Sequence, residues 1–184
     1  GHYGLFIGKK YENFREYRDL IRQQREEGAD FVKIMISGLM DFDCFGRLTE
    51  EGLPAAEIRE LIHIAHEEGF SVMAHCNGAE TALAAAEAGV DSIEHGAYLN
   101  REALAAMAEL GVVWVPTVST VGNLLGKGRF DDTQVSAILE SLLSLNEIIA
   151  ISAQAKIALR AISITCNKII TKILLSKKKL QLLT

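Results

Sequence analysis

Residues 30–38 read DFVKIMISG. Phe31, Val32, Ile34, Met35 and Ile36 make an apolar run of strand length, rich in residues that favour a pleated, buried surface. Alternation puts Phe31, Lys33 and Met35 on one face and Val32, Ile34 and Ile36 on the other. Lys33 is the anomaly. An unpaired ammonium is costly to bury, and lysine is among the side chains least often enclosed.

The same pattern recurs along the chain. EEGADFVKI from Glu26, EEGFSVMAH from Glu67, EAGVDSIEH from Glu87 and ELGVVWVPT from Glu109 each join an acidic helix end, a glycine and a short apolar run. Gly28, Gly69, Gly89 and Gly111 suit the residue just past a helix, where a left-handed backbone excludes most side chains. The runs that follow predict strands buried on both faces. Between them lie amphipathic stretches: Tyr11–Glu27 with Phe14, Tyr17, Leu20 and Ile21 in helical spacing; a start at Thr49 with Pro54 in the first turn; an alanine-rich segment from Gly78 to Ala88; and Arg101–Leu110 capped by Asn100. Alternating helices and buried strands predict parallel pairing through right-handed crossovers. No glycine-rich phosphate loop follows any strand, and the near-regular repeat favours a (β/α) barrel over an open doubly wound sheet.

In a barrel, function sits where strands run out into loops. Lys33 lies on the first strand, the second ends at His75 in VMAHCNG, and the third ends at His95 in SIEHG. A single histidine at a strand end is more often a hydrogen-bonding partner than a ligand. Three candidates on successive units are expected to converge. Neutral imidazole is a common zinc ligand. A lysine can join such a set only after its charge is removed, and carbamylation by carbon dioxide turns its amine into a carboxylate. Burial would favour this by lowering the lysine pKa and freeing a nucleophilic amine.

FVKIMISG, SVMAHCNGA, GVDSIEHGAYL and VVWVPTVST, in this order and spacing, resemble the amidohydrolase superfamily, in particular its imidazolonepropionase-like and Xaa-Pro dipeptidase-like branch. The similarity runs from about Gly1 to about Leu145. The resemblance implies a (β/α)8 barrel of parallel strands and intervening helices, and a metal-dependent hydrolase that attacks amide C–N bonds with an activated water. Carried over by position, it implies that carbamylated Lys33, His75 and His95 hold a divalent metal, zinc foremost. It places Tyr98 against a small-molecule substrate of dipeptide or N-acyl amino acid type. Asn77, His2 and the loop Thr117–Val118–Ser119 are further expected contacts.

The departures are specific. The superfamily draws two ligands from an HxH motif on its first strand, and this sequence contains none. It draws a proton-shuttling aspartate from its eighth strand, and here no Asp follows Asp132. The chain is therefore expected to cover strands three to seven of an incomplete barrel, with residues 1–147 as barrel segment. Residues 148–184 read as a divergent, helical, basic tail: they hold no Asp or Glu, but Lys156, Arg160, Lys168, Lys172 and Lys177–Lys179. That composition is what a truncated or frame-shifted reading would give. The alternative function is a non-catalytic pseudoenzyme fragment that binds a metal or a partner chain. A sheet with open edges calls for a homo-oligomer or a complementing chain.

The net charge of −5 gives no reason to expect nucleic acid or an anionic membrane. Cys44, Cys76 and Cys166 form no CxxC pattern and fit reduced thiols in a cytoplasmic protein. No apolar run reaches the ~18 residues of a membrane span.

Overall fold

The structure is a computed structural model and describes residues 8–126 and 128–154. Helix α1 (Phe14–Glu26) leads to strand β1 (Phe31–Met35), followed by α2 (Ala55–Glu67), β2 (Ser71–Cys76), α3 (Ala79–Glu87), β3 (Ser92–His95), α4 (Arg101–Glu109), β4 (Val113–Val115), α5 (Val118–Gly122) and α6 (Asp132–Gln154). The four strands pair in chain order, all parallel. A doubly wound sheet reverses its order at a switch point, which puts helices on both faces. Here there is no reversal, and α1 packs on α2, α2 on α3 and α3 on α4. The helices therefore form one layer on one side of the sheet, which is the barrel arrangement. Among the described residues the sheet has four strands, so the barrel is incomplete.

The helix boundaries follow local chemistry. Asn13 starts α1 by accepting the Glu16 amide at 3.0 Å, three residues later than the hydrophobic pattern suggested. Tyr11 instead sits ahead of the helix, its hydroxyl donating to Glu57 on α2. Helix α2 begins only at Ala55, because Pro54 keeps an extended ψ of 140°. The stretch before it forms a hairpin, with a Met40–Leu48 bridge and Thr49 donating its amide to the Leu39 carbonyl. Asn100 caps α4 as its residue type predicts, accepting the Ala103 amide at 2.8 Å. The four repeat glycines all adopt positive φ, between 73° and 84°.

The core lies between sheet and helices. Val32, Ile34, Ile36, Val72, Ala74, Cys76, Ile93 and Trp114 project from the sheet onto Ile58, Leu61, Ile62, Ala82, Leu104 and Met107. The opposite face departs from the sequence expectation. β1 is not buried on both sides: Phe31 is 48% exposed, Lys33 is exposed and Met35 is half-buried. The reason is architectural, since strands buried on both faces need a closed barrel, and four strands do not close one. Lys33 therefore is not the buried lysine that the apolar run implied.

The compositional boundary at 147/148 falls within α6. His2, Cys166 and the tail beyond residue 154 lie outside the described residues. Among the described residues no helix is long and apolar enough to cross a membrane.

Candidate metal centre

Register decides which side chains meet. Lys33 pairs with Met73 and Met35 with His75; His75 pairs with Glu94, and Glu94 with Val115. Lys33, His75 and Glu94 therefore share the concave face, away from the helices. His95 pairs with Cys76, so simple alternation would turn it toward the helix layer. Its φ of 70° breaks the alternation. The ring swings back beside His75, with centroids 4.8 Å apart.

Among the described residues, three non-glycine residues have positive φ: His95, Tyr98 at 62° and Thr117 at 42°. His95 ends β3, while Tyr98 and Thr117 lie in the loops after β3 and β4, and such conformations persist only when the surroundings enforce them. The Thr117 hydroxyl lies 2.7 Å from His95 Nδ1. Trp114 Nε1–H donates to the His95 carbonyl at 3.0 Å. Tyr98 is fixed through a 3.0 Å hydroxyl contact to Ser141, a buried residue on α6 that also donates to the Ala137 carbonyl. Gly96 completes the turn at φ 62°, and a Cβ there would fall 2.4 Å from Trp114 Nε1.

His75 is buried, and its Nε2 faces the Gly38 carbonyl at 3.2 Å. Asn77 is buried as well and acts as a strut. Its Nδ2 donates to Gly38 O at 3.0 Å, its Oδ1 accepts the Ala97 amide at 2.9 Å, and its own amide donates to Ser37 Oγ at 2.7 Å. One side chain thus ties the loop after β1 to the loop after β3.

Both imidazoles are held neutral. Burial first, then electrostatic coupling to the neighbouring His75 and Lys33, push His95 down to about 4. Burial lowers His75 too, and Lys33 adds to it against the opposing Gly38 carbonyl. Lys33 is exposed by surface area, yet enough protein surrounds its amine for partial desolvation to lower its pKa, with the Glu94 carboxylate opposing. Lys33 is thus close enough to act on both histidines. Glu94 is the residue that motif reading passed over. It is buried, accepts a hydrogen bond from Ser92 Oγ at 3.1 Å, and shares the concave face. Alternation across SIEH, combined with the strand register, was the signal for it.

The donor set fits a divalent ion on two counts. Each imidazole has one ring nitrogen engaged by a protein oxygen, the usual device for fixing the tautomer of a ligating histidine, and one left over. Each is also neutral at ordinary pH. Lys33 fits only as a carbamate. Among the described residues no three His, Cys, Asp or Glu side chains form a metal-binding cluster, so these two histidines would need that modified lysine or an outside ligand.

The sequence model of the Amidohydrolase family matches residues 5–158, and the chain belongs to that family. The Aspergillus niger ochratoxinase is 29% identical over 157 residues, which cover 80% of this chain and 32% of that protein. The crystal structure of A. niger ochratoxinase superimposes with a TM-score of 0.69 at 22% identity, covering 82% of this chain and 35% of that one. A Xaa-Pro dipeptidase with bound methionine in its active site gives a TM-score of 0.65 at 24% identity, over 82% of this chain and 38% of the other. The chain spans about a third of the length of the curated relatives it matches.

Proposed function

We propose that this chain carries the metal-facing segment of a hydrolase for amide or peptide C–N bonds, with substrates of dipeptide or N-acyl amino acid type. The observation that carries the reading is the convergence of two neutral imidazoles 4.8 Å apart with Lys33 in electrostatic reach of both. His75, His95 and carbamylated Lys33 would hold a divalent ion, zinc foremost. Such an ion supplies a Lewis acid for the scissile carbonyl and lowers the pKa of a water.

The protein's own groups do the positioning. Thr117 sets the His95 ring, the Gly38 carbonyl sets His75, and Asn77 locks the two loops that carry them. Tyr98, three residues after His95 in the chain, is held through its hydroxyl contact with Ser141.

A second reading follows from the exposure of Lys33. If it stays an ammonium it supplies no ligand, two imidazoles hold a metal weakly, and the chain binds a metal or a partner chain without hydrolysis. One experiment separates the two. Protein prepared with bicarbonate and zinc is assayed for metal by elemental analysis, beside Lys33→Ala. About one zinc per chain, lost in the variant, is expected. Equal metal content in both proteins, or none in folded protein, favours the second reading.

A further inference from the structure

Thr117 is the N-cap of α5, a place where a threonine hydroxyl ordinarily accepts an amide of the first turn. It makes no such bond. Its backbone is left-handed, with φ 42° and ψ 35°. A β-branched residue adopts that conformation only under constraint, whereas glycine takes it at little cost. The residue type therefore serves neither the helix nor the turn. The hydroxyl instead meets Nδ1 of His95 at 2.7 Å. Three residues earlier, the fully buried Trp114 donates to the His95 carbonyl at 3.0 Å. One short stretch, residues 114–117, thus holds His95 by backbone and by ring.

We infer that Thr117 is a positioning residue: its hydroxyl accepts a hydrogen bond from Nδ1–H of His95, which keeps a lone pair on Nε2 for a metal, and the left-handed strain at residue 117 is the cost of that placement. The metal's part in this rests on the proposed function, whereas the tautomer is a property of the chain alone. Thr117 is half-buried, so its own proton can go to solvent while its oxygen serves the ring. Strain kept at a residue whose side chain does no local work is the mark of a position set for something other than stability. Oxygen partners of this kind fix the tautomer and rotation of ligating histidines.

Long-range proton–nitrogen NMR correlations of the imidazoles, in the metal-free full chain at neutral pH, report which ring nitrogen carries the proton. The His95 signals are those missing from His95→Gln. Wild type is expected to show His95 as Nδ1–H, and Thr117→Ser to keep that signature. Thr117→Val and Thr117→Gly should lose it and populate both tautomers. Zinc affinity, by competition with a chromogenic chelator, should follow the tautomer: near wild type in Thr117→Ser and roughly 10-fold weaker in Thr117→Val and Thr117→Gly. Stability should follow the strain instead. Thr117→Gly is expected to denature at higher denaturant than Thr117→Val, because glycine relieves the left-handed backbone and valine keeps it. A merely structural threonine would not let affinity and stability part in this way. Nε2–H in wild type, an unchanged tautomer in Thr117→Val or Thr117→Gly, or a Thr117→Ser as impaired as Thr117→Val overturns the inference. The metal reading fails separately: a wild type that binds no zinc yet shows Nδ1–H, lost in Thr117→Val, refutes that reading and leaves the placement of His95 by Thr117 standing.

Discussion

Asn77 spends its side-chain amide on two loops at once. Replacing it with alanine leaves the Ala97 amide and one bond to the Gly38 carbonyl unmet in a buried place. Asn77→Ala is expected to cost about 2–3 kcal/mol, read from the denaturation midpoint; a loss under about 0.5 kcal/mol would mean that water replaces the strut. Gly96→Ala tests the turn. The new methyl would strike the Trp114 indole and sit on a positive φ, so about 2 kcal/mol or more should be lost, with a shift in Trp114 emission. Retention of both stability and spectrum would show that the turn relaxes freely. His75, His95 and Lys33 were legible as residues, because polar side chains at the ends of apolar runs stand out. Their environment was not. The left-handed backbone at His95 contradicts strict alternation, and the exposure of Lys33 depends on strands that lie beyond its own neighbours.

At the scale of elements, α1 is bound to the end of α2 by charge. Arg18, Arg22 and Arg25 surround Glu68, with contacts of 3.0, 2.9 and 3.6 Å. Glu68 sits past the carboxyl end of α2, where a negative charge opposes the helix dipole, so the arginines offset an unfavourable position. It is 7% exposed by area but covered by partly exposed arginine side chains, so it lies close to solvent. Hydrogen bonds from Arg22 and then Arg18 hold its carboxyl down at about 2. A depressed carboxylate stabilises the fold fully above its unfolded value, near 4.5, and that contribution fades as pH falls toward 2. Denaturant midpoints taken from pH 6 to pH 2 should therefore fall more steeply in wild type than in Glu68→Gln. Parallel curves would remove the arginine cluster as the cause. The repeat of helix, glycine and strand was readable because left-handed glycines punctuate it. α6 was not anticipated: it lies past the last repeat glycine, outside the pattern that marked the others, and its apolar contacts are set by α4 and α5.

For the whole molecule, the strand order follows from the repeat, but the state of the concave face does not, because burial there is decided by partners outside the sheet. Phe31, Lys33 and Met35 line an open side next to a strand edge that no other described strand pairs. Such a surface should associate with a second copy or with a complementing chain. Sedimentation of the isolated chain over a range of concentrations is expected to show association that Phe31→Asp reduces. A concentration-independent monomer in wild type would count against it.

The positive-φ residues carry a further consequence for how this protein ages under heat. His95, Tyr98 and Thr117 hold their conformations through bonds to Trp114, Ser141 and one another, all of them tertiary. The sheet and its helix layer depend on none of these bonds. Warming should therefore slacken the loop end first, letting the imidazoles part while the secondary structure is still intact. Competence at this site would then be lost in an earlier and gentler step than melting, one that cooling can restore.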